Sequence, residues 1–297
     1  MTITATIEQQ AEESRVSDFF ALLKPRVMSL VVFSGFAGMW IAPGFDRLHP
    51  VLALTAMLAL AVGAGAAGAA NMWYERDIDS VMRRTKGRPL PMGRVAPDEA
   101  LSFAAVLSVL SVLTMGLALN WTAAALLAVA NLFYIFVYTV WLKRRTPQNI
   151  VIGGAAGAFP PMIGWAAVTG HVTLLPIILF AIIFLWTPPH FWALSLFMSD
   201  DYKRAGIPMM PAVKGADSTK RQMLAYTLIL TPVALAPYLL GYTSAGYGII
   251  ALVLNLFFIF TAVRVMLDKT DKSARLMFGY SIFYLFAIFL GLMFNVG

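Results

Sequence analysis

Residues 51–79 read VLALTAMLALAVGAGAAGAANMWYERDID, and this stretch decides the fold class. Its first part, 51–72, carries no charged residue and is as long as a helix that spans a lipid bilayer, which needs about 17 to 25 mostly apolar residues. Eight similar stretches occur along the chain, at about 27–42, 100–119, 121–142, 150–169, 172–198, 223–242, 245–263 and 276–296. The sequence therefore predicts an all-α membrane bundle of about nine transmembrane helices.

The overall composition leads to the same prediction. Of the 297 residues, 60% are hydrophobic and only 12% are charged, whereas soluble domains carry about 25% charged residues. The absence of cysteine excludes disulfides and thiolate metal sites. The net charge of +7 resides in short basic clusters between apolar runs, which is typical of membrane-protein loops. We therefore expect the lipid bilayer as a partner, and no nucleic acid.

The basic residues predict the orientation of the chain. Among the 22 Lys and Arg residues, Arg47 alone falls in a link on the second side of the predicted membrane. Because basic loops stay in the cytosol, we expect a cytosolic N-terminus and an external C-terminus. We interpret residues 1–23 as a cytosolic arm and 24–297 as a single transmembrane domain. The long cytosolic links 74–98 and 199–220 resemble each other weakly, which favours two four-helix halves plus a ninth helix.

The first long link begins with an acidic cluster. If the helix of residues 51–72 continues, Asn71, Glu75 and Asp79 lie at positions i, i+4 and i+8 on one face. Magnesium takes such oxygen ligands and often bridges to phosphate oxygens. Carboxylates beside cations favour a diphosphate site, although an ordinary charged loop is the alternative. The cations that follow are Arg83, Arg84, Lys86 and Arg88.

A second cluster surrounds the end of the sixth predicted span. His190 is the only histidine inside a predicted span, and a titratable group at that depth is a functional candidate. The alternative is a histidine that bonds a carbonyl freed by the adjacent pair Pro188–Pro189. The link then continues with Asp200, Asp201, Tyr202, Lys203 and Arg204.

Together these motifs resemble the UbiA-type intramembrane prenyltransferases, and within them the branch that farnesylates haem B, the protohaem IX farnesyltransferases. The segments that carry the resemblance are 23–27, 71–91, 146–154, 188–194 and 200–211. The family has a nine-helix bundle around a central cavity open to the cytosolic side. The resemblance implies that links 74–98 and 199–220 form a cap over this cavity and that the protein lies in a bacterial plasma (inner) membrane.

The resemblance also implies roles for individual residues. Magnesium would be held by Asn71, Glu75 and Asp79, with Asp200 or Asp201 as a second set. The diphosphate of farnesyl diphosphate would be bound by Arg83, Lys86, Arg88, Lys203 and Arg204. His190, Asp79 and Tyr202 are the catalytic candidates.

The sequence departs from the family pattern at two positions. Glu75 stands where the superfamily usually has Asp. His190 stands where aromatic prenyltransferases usually have Asp, which favours haem B as acceptor, because histidine can ligate haem iron or move protons.

The activity implied is farnesyl transfer to the 2-vinyl group of haem B, with addition of water, to give haem O for terminal oxidases. The alternatives are prenylation of a quinone precursor or a chlorophyllide, a non-catalytic haem-binding assembly protein, and a small transporter. Haem A synthase or oxidase-assembly factors are the protein partners implied.

Overall fold

The computed structural model describes residues 14–268 and 270–296, and these form a bundle of helices. The first 13 residues of the predicted cytosolic arm lie outside the described part. The helices are α1 (Val16–Leu22), α2 (Pro25–Trp40), α3 (Pro50–Tyr74), α4 (Arg76–Val81), α5 (Pro97–Ala118), α6 (Trp121–Leu132), α7 (Asn149–Ala158), α8 (Pro160–Thr169), α9 (Leu174–Phe197), α10 (Ser199–Arg204), α11 (Met210–Lys214), α12 (Ala216–Leu239), α13 (Ala245–Leu267) and α14 (Lys272–Met293).

Eight of the helical segments in the described ranges are long and apolar enough to cross a membrane. A ninth results if α1 and α2, which are bent by 60° relative to each other, are counted as one broken span. The bend lies at Lys24, whose φ of 53° is left-handed, and at Pro25, which has no N–H to continue a helix. The prediction of an all-α bundle with about nine membrane helices is confirmed.

The fourth span contains an element that the sequence did not predict. Its second half, Phe133–Leu142, is a π-helix that follows α6 directly. Within it, the Thr139 hydroxyl donates to the carbonyl of Tyr134 at 2.9 Å. Because π-helical turns are frequent at functional sites, the residues beside this segment are candidates for the site.

Small residues allow two of the membrane helices to approach closely. A Cβ atom on Gly38 of α2 would lie 2.1 Å from the carbonyl oxygen of Pro161 in α8. A Cβ atom on Gly164 of α8 would lie 1.9 Å from the carbonyl oxygen of Gly35. Neither position can hold a larger side chain without separating the helices, which is how small residues drive helix packing in membranes.

The two long links, 74–98 and 199–220, share a small apolar cluster. Ile78 and Met82, from the first link, pack with Tyr202 and Ile207 of the second, around Ile150. Burial of these side chains holds α4 against α10. The acidic stretches of the two links therefore lie at the same end of the bundle.

Candidate active site

Asn71, Glu75 and Asp79 share one face, as predicted, although the helix that carries them is interrupted. Glu75 lies between α3 and α4, with φ −99° and ψ 15°, so the predicted continuous helix is interrupted. The helical spacing is kept, because the Glu75 N–H donates to the Asn71 carbonyl at 3.0 Å and the Asp79 N–H to the Glu75 carbonyl at 2.8 Å. All three side chains are buried. Asp77, two residues before Asp79 and therefore off this face, is exposed.

Each residue of this face contacts a basic side chain. The Lys24 ammonium donates to Asn71 Oδ1 at 2.8 Å, and the Arg88 guanidinium donates to Asp79 Oδ2 at 2.6 Å. Lys143, directly after the π-helix, forms an ion pair with Glu75. Burying an unpaired carboxylate is costly, so these cations stabilise the face.

Lys24 and Lys143 were not among the predicted site residues. They stand 47 and 68 positions from their partners in the chain. Sequence spacing gives no sign of such contacts, although Lys24 belongs to one of the motifs that carried the resemblance. The Asn71 amide also donates to the Thr139 hydroxyl at 3.0 Å, which ties the face to the π-helix.

In the second acidic set, the structure distinguishes the two neighbouring aspartates. Asp201 is buried and forms an ion pair with Arg204, whereas Asp200 is exposed. Tyr202 is buried in the apolar cluster between the links. Of the two aspartates, Asp201 is therefore the one placed to bind a metal inside the site.

The five basic residues predicted to bind diphosphate fall into two groups. Arg88 and Arg204 reach the buried carboxylates of the two acidic sets. The other three, Arg83, Lys86 and Lys203, are exposed at the surface of the links.

An outer ion pair borders the same end of the bundle. Arg144 donates to both carboxylate oxygens of Asp77, at 2.7 and 2.9 Å. The hydrogen bond from Arg144 holds the pKa of Asp77 below its usual value. A cleft of about 220 Å³, lined in part by Asp77, Arg144 and Arg204, lies between α4 and α10.

Two buried carboxylate oxygens are available as ligands for magnesium. Glu75 Oε1 and Asp201 Oδ2 are sealed from solvent and have no hydrogen-bond partner, while the other oxygen of each carboxylate contacts a cation. Unsatisfied buried acceptors are rare and costly, and a hard cation satisfies them. Within the described ranges no three His, Asp or Glu side chains cluster closely enough to hold a metal by themselves. The donor set fits an ion that takes its other ligands from a diphosphate and water.

His190 lies in a different environment, between α9 and α14. Its ring stacks on Trp186 at 4.3 Å and on Phe278 at 4.7 Å between centroids. Its Nδ1 atom contacts the Ser281 hydroxyl at 2.6 Å, and not a carbonyl freed by the proline pair. The sequence analysis missed Ser281, which stands 91 positions away in a span that carried no motif.

Comparison with known proteins places this arrangement in a family. Residues 31–290 match the model of the UbiA prenyltransferase family. A protein of Mesorhizobium japonicum named Protoheme IX farnesyltransferase 2 is 61% identical over 281 residues, which cover 93% of this chain and 89% of the relative. A Protoheme IX farnesyltransferase of Agrobacterium fabrum is 58% identical over 288 residues, covering 96% of this chain and 90% of the relative.

Solved structures share the fold at low sequence identity. The apo structure of a UbiA homolog from Aeropyrum pernix K1 superposes with a TM-score of 0.69 at 20% identity, covering 92% of this chain and 98% of the homolog. A UbiA homolog from Archaeoglobus fulgidus, bound to DMAPP and Mg²⁺, superposes with a TM-score of 0.67 at 15% identity, covering 90% of this chain and 99% of the homolog. The fold, the family model and the relatives agree, and the chain belongs to the UbiA prenyltransferase family.

Proposed function

We propose that this protein transfers the farnesyl group of farnesyl diphosphate to the 2-vinyl group of haem B, with addition of water, and so makes haem O. The observation that carries the proposal is the combination of a buried carboxylate face, paired with cations, and an aromatic-bound histidine in a chain 61% identical to a protein named Protoheme IX farnesyltransferase 2. The carboxylate face with its cations suits the binding of a diphosphate, and the stacked histidine suits the binding of a porphyrin acceptor.

Binding of farnesyl diphosphate is assigned to the cytosolic end of the bundle. Glu75, Asp79 and Asp201, with the amide oxygen of Asn71, would hold magnesium, which supplies positive charge to the leaving diphosphate. The N–H groups of Lys24, Arg88 and Lys143 donate hydrogen bonds to residues of this same set. Their donors suit phosphate oxygens equally well. We expect them to turn from carboxylate to diphosphate when substrate binds.

Bond changes at the farnesyl group follow from this assignment. The bond between farnesyl C1 and the diphosphate oxygen breaks, and the basic residues stabilise the charge that develops on the leaving group. The electron pair of the 2-vinyl alkene forms the new bond to C1. The cation left beside the porphyrin ring takes up water, which then loses a proton, so that haem O and diphosphate are the products.

The membrane supplies the environment for this chemistry. Eight or nine apolar spans make the protein an integral membrane protein, and both the farnesyl chain and the porphyrin partition into apolar surroundings. We propose a cytosolic N-terminus, on the basic-residue count, and links 74–98 and 199–220 as the cap. Binding of haem A synthase or an oxidase-assembly factor also remains a prediction.

The experiment uses purified protein in detergent with haem B, farnesyl diphosphate and Mg²⁺, and resolves haem products by chromatography and mass spectrometry. We expect a product heavier by one farnesyl group and one hydroxyl group, formed only while Mg²⁺ is present and lost on chelation. Prenylation of a quinone precursor with haem B unchanged would overturn the acceptor. Absence of any prenylated product would overturn the enzymatic proposal.

A further inference from the structure

The hydrogen bonds around Ser281 determine which nitrogen of His190 carries a proton. The Ser281 hydroxyl lies 2.7 Å from the Phe278 carbonyl oxygen and 2.6 Å from His190 Nδ1. A carbonyl oxygen can only accept, so the single hydroxyl hydrogen must lie on the path to Phe278. The contact to His190 then needs its own hydrogen, which Nδ1 alone can supply. His190 is therefore protonated at Nδ1 and donates to Ser281.

The second ring nitrogen of His190 is left with a lone pair in this tautomer. Among the described residues none hydrogen-bonds to Nε2. The two ring faces are covered by Trp186 and Phe278, at interplanar angles of 16° and 21°. Stacking on both sides prevents the ring from turning, and only its edge remains for a ligand. An imidazole binds a metal through this edge, along the Nε2 lone pair.

We propose that Ser281 is a positioning residue that fixes His190 in the Nδ1–H tautomer, so that His190 Nε2 ligates the iron of the haem acceptor. This inference rests on the proposed function, because it needs haem as the substrate. A metal-binding histidine generally donates its other N–H to an oxygen that fixes the ring and its tautomer. Ser281 supplies that oxygen here.

The surroundings of His190 favour an iron ligand over a proton acceptor. In the described part of the chain, no carboxylate forms an ion pair or hydrogen bond with the imidazole, whose neighbours are aromatic rings. An imidazolium there would have no counter-charge, which is costly in an apolar site. A bond to iron leaves the imidazole with one proton and avoids that cost.

A second hydrogen bond fixes the position of Ser281 along the bundle relative to His190. The Trp186 indole N–H donates to the Ser281 backbone carbonyl at 2.7 Å. Trp186 and His190 are four residues apart and share one face of α9. From this face, His190 contacts the hydroxyl of Ser281 and Trp186 contacts the backbone carbonyl of Ser281. The register between α9 and α14 is thereby set by the same residues that would carry the haem ligand.

The test measures the axial ligand directly, by resonance Raman and absorption spectra of ferrous haem B bound to the full-length protein in detergent. The variants are His190→Ala, Ser281→Ala and Ser281→Thr. Ser195→Ala is the matched control, because Ser195 is also buried and donates to the carbonyl three residues earlier, at 3.0 Å, without touching the histidine. Mg²⁺-dependent affinity for farnesyl diphosphate checks that each variant is folded.

We expect an iron–histidine band in the unmodified protein and its loss in His190→Ala. Ser281→Ala should shift that band and weaken haem affinity by roughly tenfold, the lower end of what outer partners of metal ligands contribute. Ser281→Thr, which keeps a hydroxyl, should restore both readouts, and Ser195→Ala should change neither.

Two results would overturn the inference while the proposed function stands. One is haem O formation by a protein whose iron–histidine band persists in His190→Ala. The other is a Ser281→Ala spectrum and haem affinity equal to those of the unmodified protein. A protein that neither binds nor farnesylates haem B but prenylates a quinone precursor would instead remove the proposed function and this inference together.

Discussion

The two ends of the candidate site hold their key side chains by different means. In the acidic region, Asp79 and Glu75 are held by Arg88 and Lys143 through ion pairs. Between α9 and α14, His190 is held by one hydroxyl and two aromatic rings. In both places one partner comes from a distant part of the chain, since Lys143 is 68 positions from Glu75 and Ser281 is 91 positions from His190. Only in the acidic region are both partners charged.

This difference indicates different behaviour on substrate binding. Ion-paired lysines and arginines have long side chains and can transfer their N–H groups to incoming phosphate oxygens. The imidazole stacked between Trp186 and Phe278 has no such freedom. We therefore expect the carboxylate face to rearrange during the reaction and the histidine to keep its position.

The largest effect is expected at Asp79. Asp79→Ala should lower the rate of farnesyl transfer on the order of 100- to 1000-fold, the range typical of losing a group that stabilises developing charge. The matched control is Asp77→Ala, an exposed carboxylate in the same short helix, which should keep nearly full activity. Product formation at saturating substrates is the measurement. Equal losses in the two variants would show that burial on the carboxylate face has no bearing on catalysis.

The next largest effect concerns the pair formed by Lys143 and Glu75. Lys143→Met leaves a buried carboxylate without its cation, which costs about 3 to 5 kcal/mol in comparable pairs. The double variant Lys143→Met with Glu75→Gln should recover much of that stability, because no charge is left unpaired. Melting temperatures in detergent measure both. If the single variant melts like the unmodified protein, the pair does not stabilise the face.

A smaller effect separates the two neighbouring aspartates. Asp201→Asn should weaken Mg²⁺-dependent farnesyl diphosphate binding by at least about tenfold, since even residues that only orient metal ligands contribute that much. Asp200→Asn changes an exposed carboxylate and should bind nearly as the unmodified protein does. Titration with farnesyl diphosphate at fixed Mg²⁺ compares the two. The reverse order of effects would reassign the second metal position to Asp200.

The smallest effect is expected at Trp186. Trp186→Phe keeps an aromatic ring for stacking on His190 but removes part of the indole together with the N–H that donates to the Ser281 carbonyl. A single hydrogen bond of this kind contributes about 1 kcal/mol. The melting temperature should therefore fall slightly, while Trp186→Leu, which also removes the ring, should lower it further. Identical melting of the two variants would mean that stacking adds nothing to the hydrogen bond.

Local pattern was sufficient for part of the site. Asn71, Glu75 and Asp79 follow one another at helical spacing, so their common face was predictable, and the break at Glu75 does not disturb it. The partners Lys143 and Ser281 were not predictable, because they are 68 and 91 positions away from the residues they contact. The π-helix was equally unpredictable, since its aromatic and β-branched residues are also common in an α-helix that spans a membrane.

Helix ends show the same limit on a smaller scale. The seventh span was predicted to begin at residue 223, where the apolar run begins, but α12 begins at Ala216. Its first turns carry Asp217 and Lys220, and the Lys220 ammonium donates to the Asp268 carbonyl at 2.6 Å. Apolarity marks the part of a helix that lies in lipid, whereas hydrogen bonds and neighbouring residues decide how far the helix continues beyond it.

Sequence alone determined that this protein is a helical membrane bundle with an acidic motif on one helix face, because lipid requires long apolar helices and helical spacing aligns nearby residues. Only the tertiary structure decided that Asp201 is buried and Asp200 exposed, that Lys24 and Lys143 contact the first acidic face, and that Ser281 contacts His190. Those results depend on which helices pack together, and contacts between residues far apart in the chain leave no periodic pattern along it.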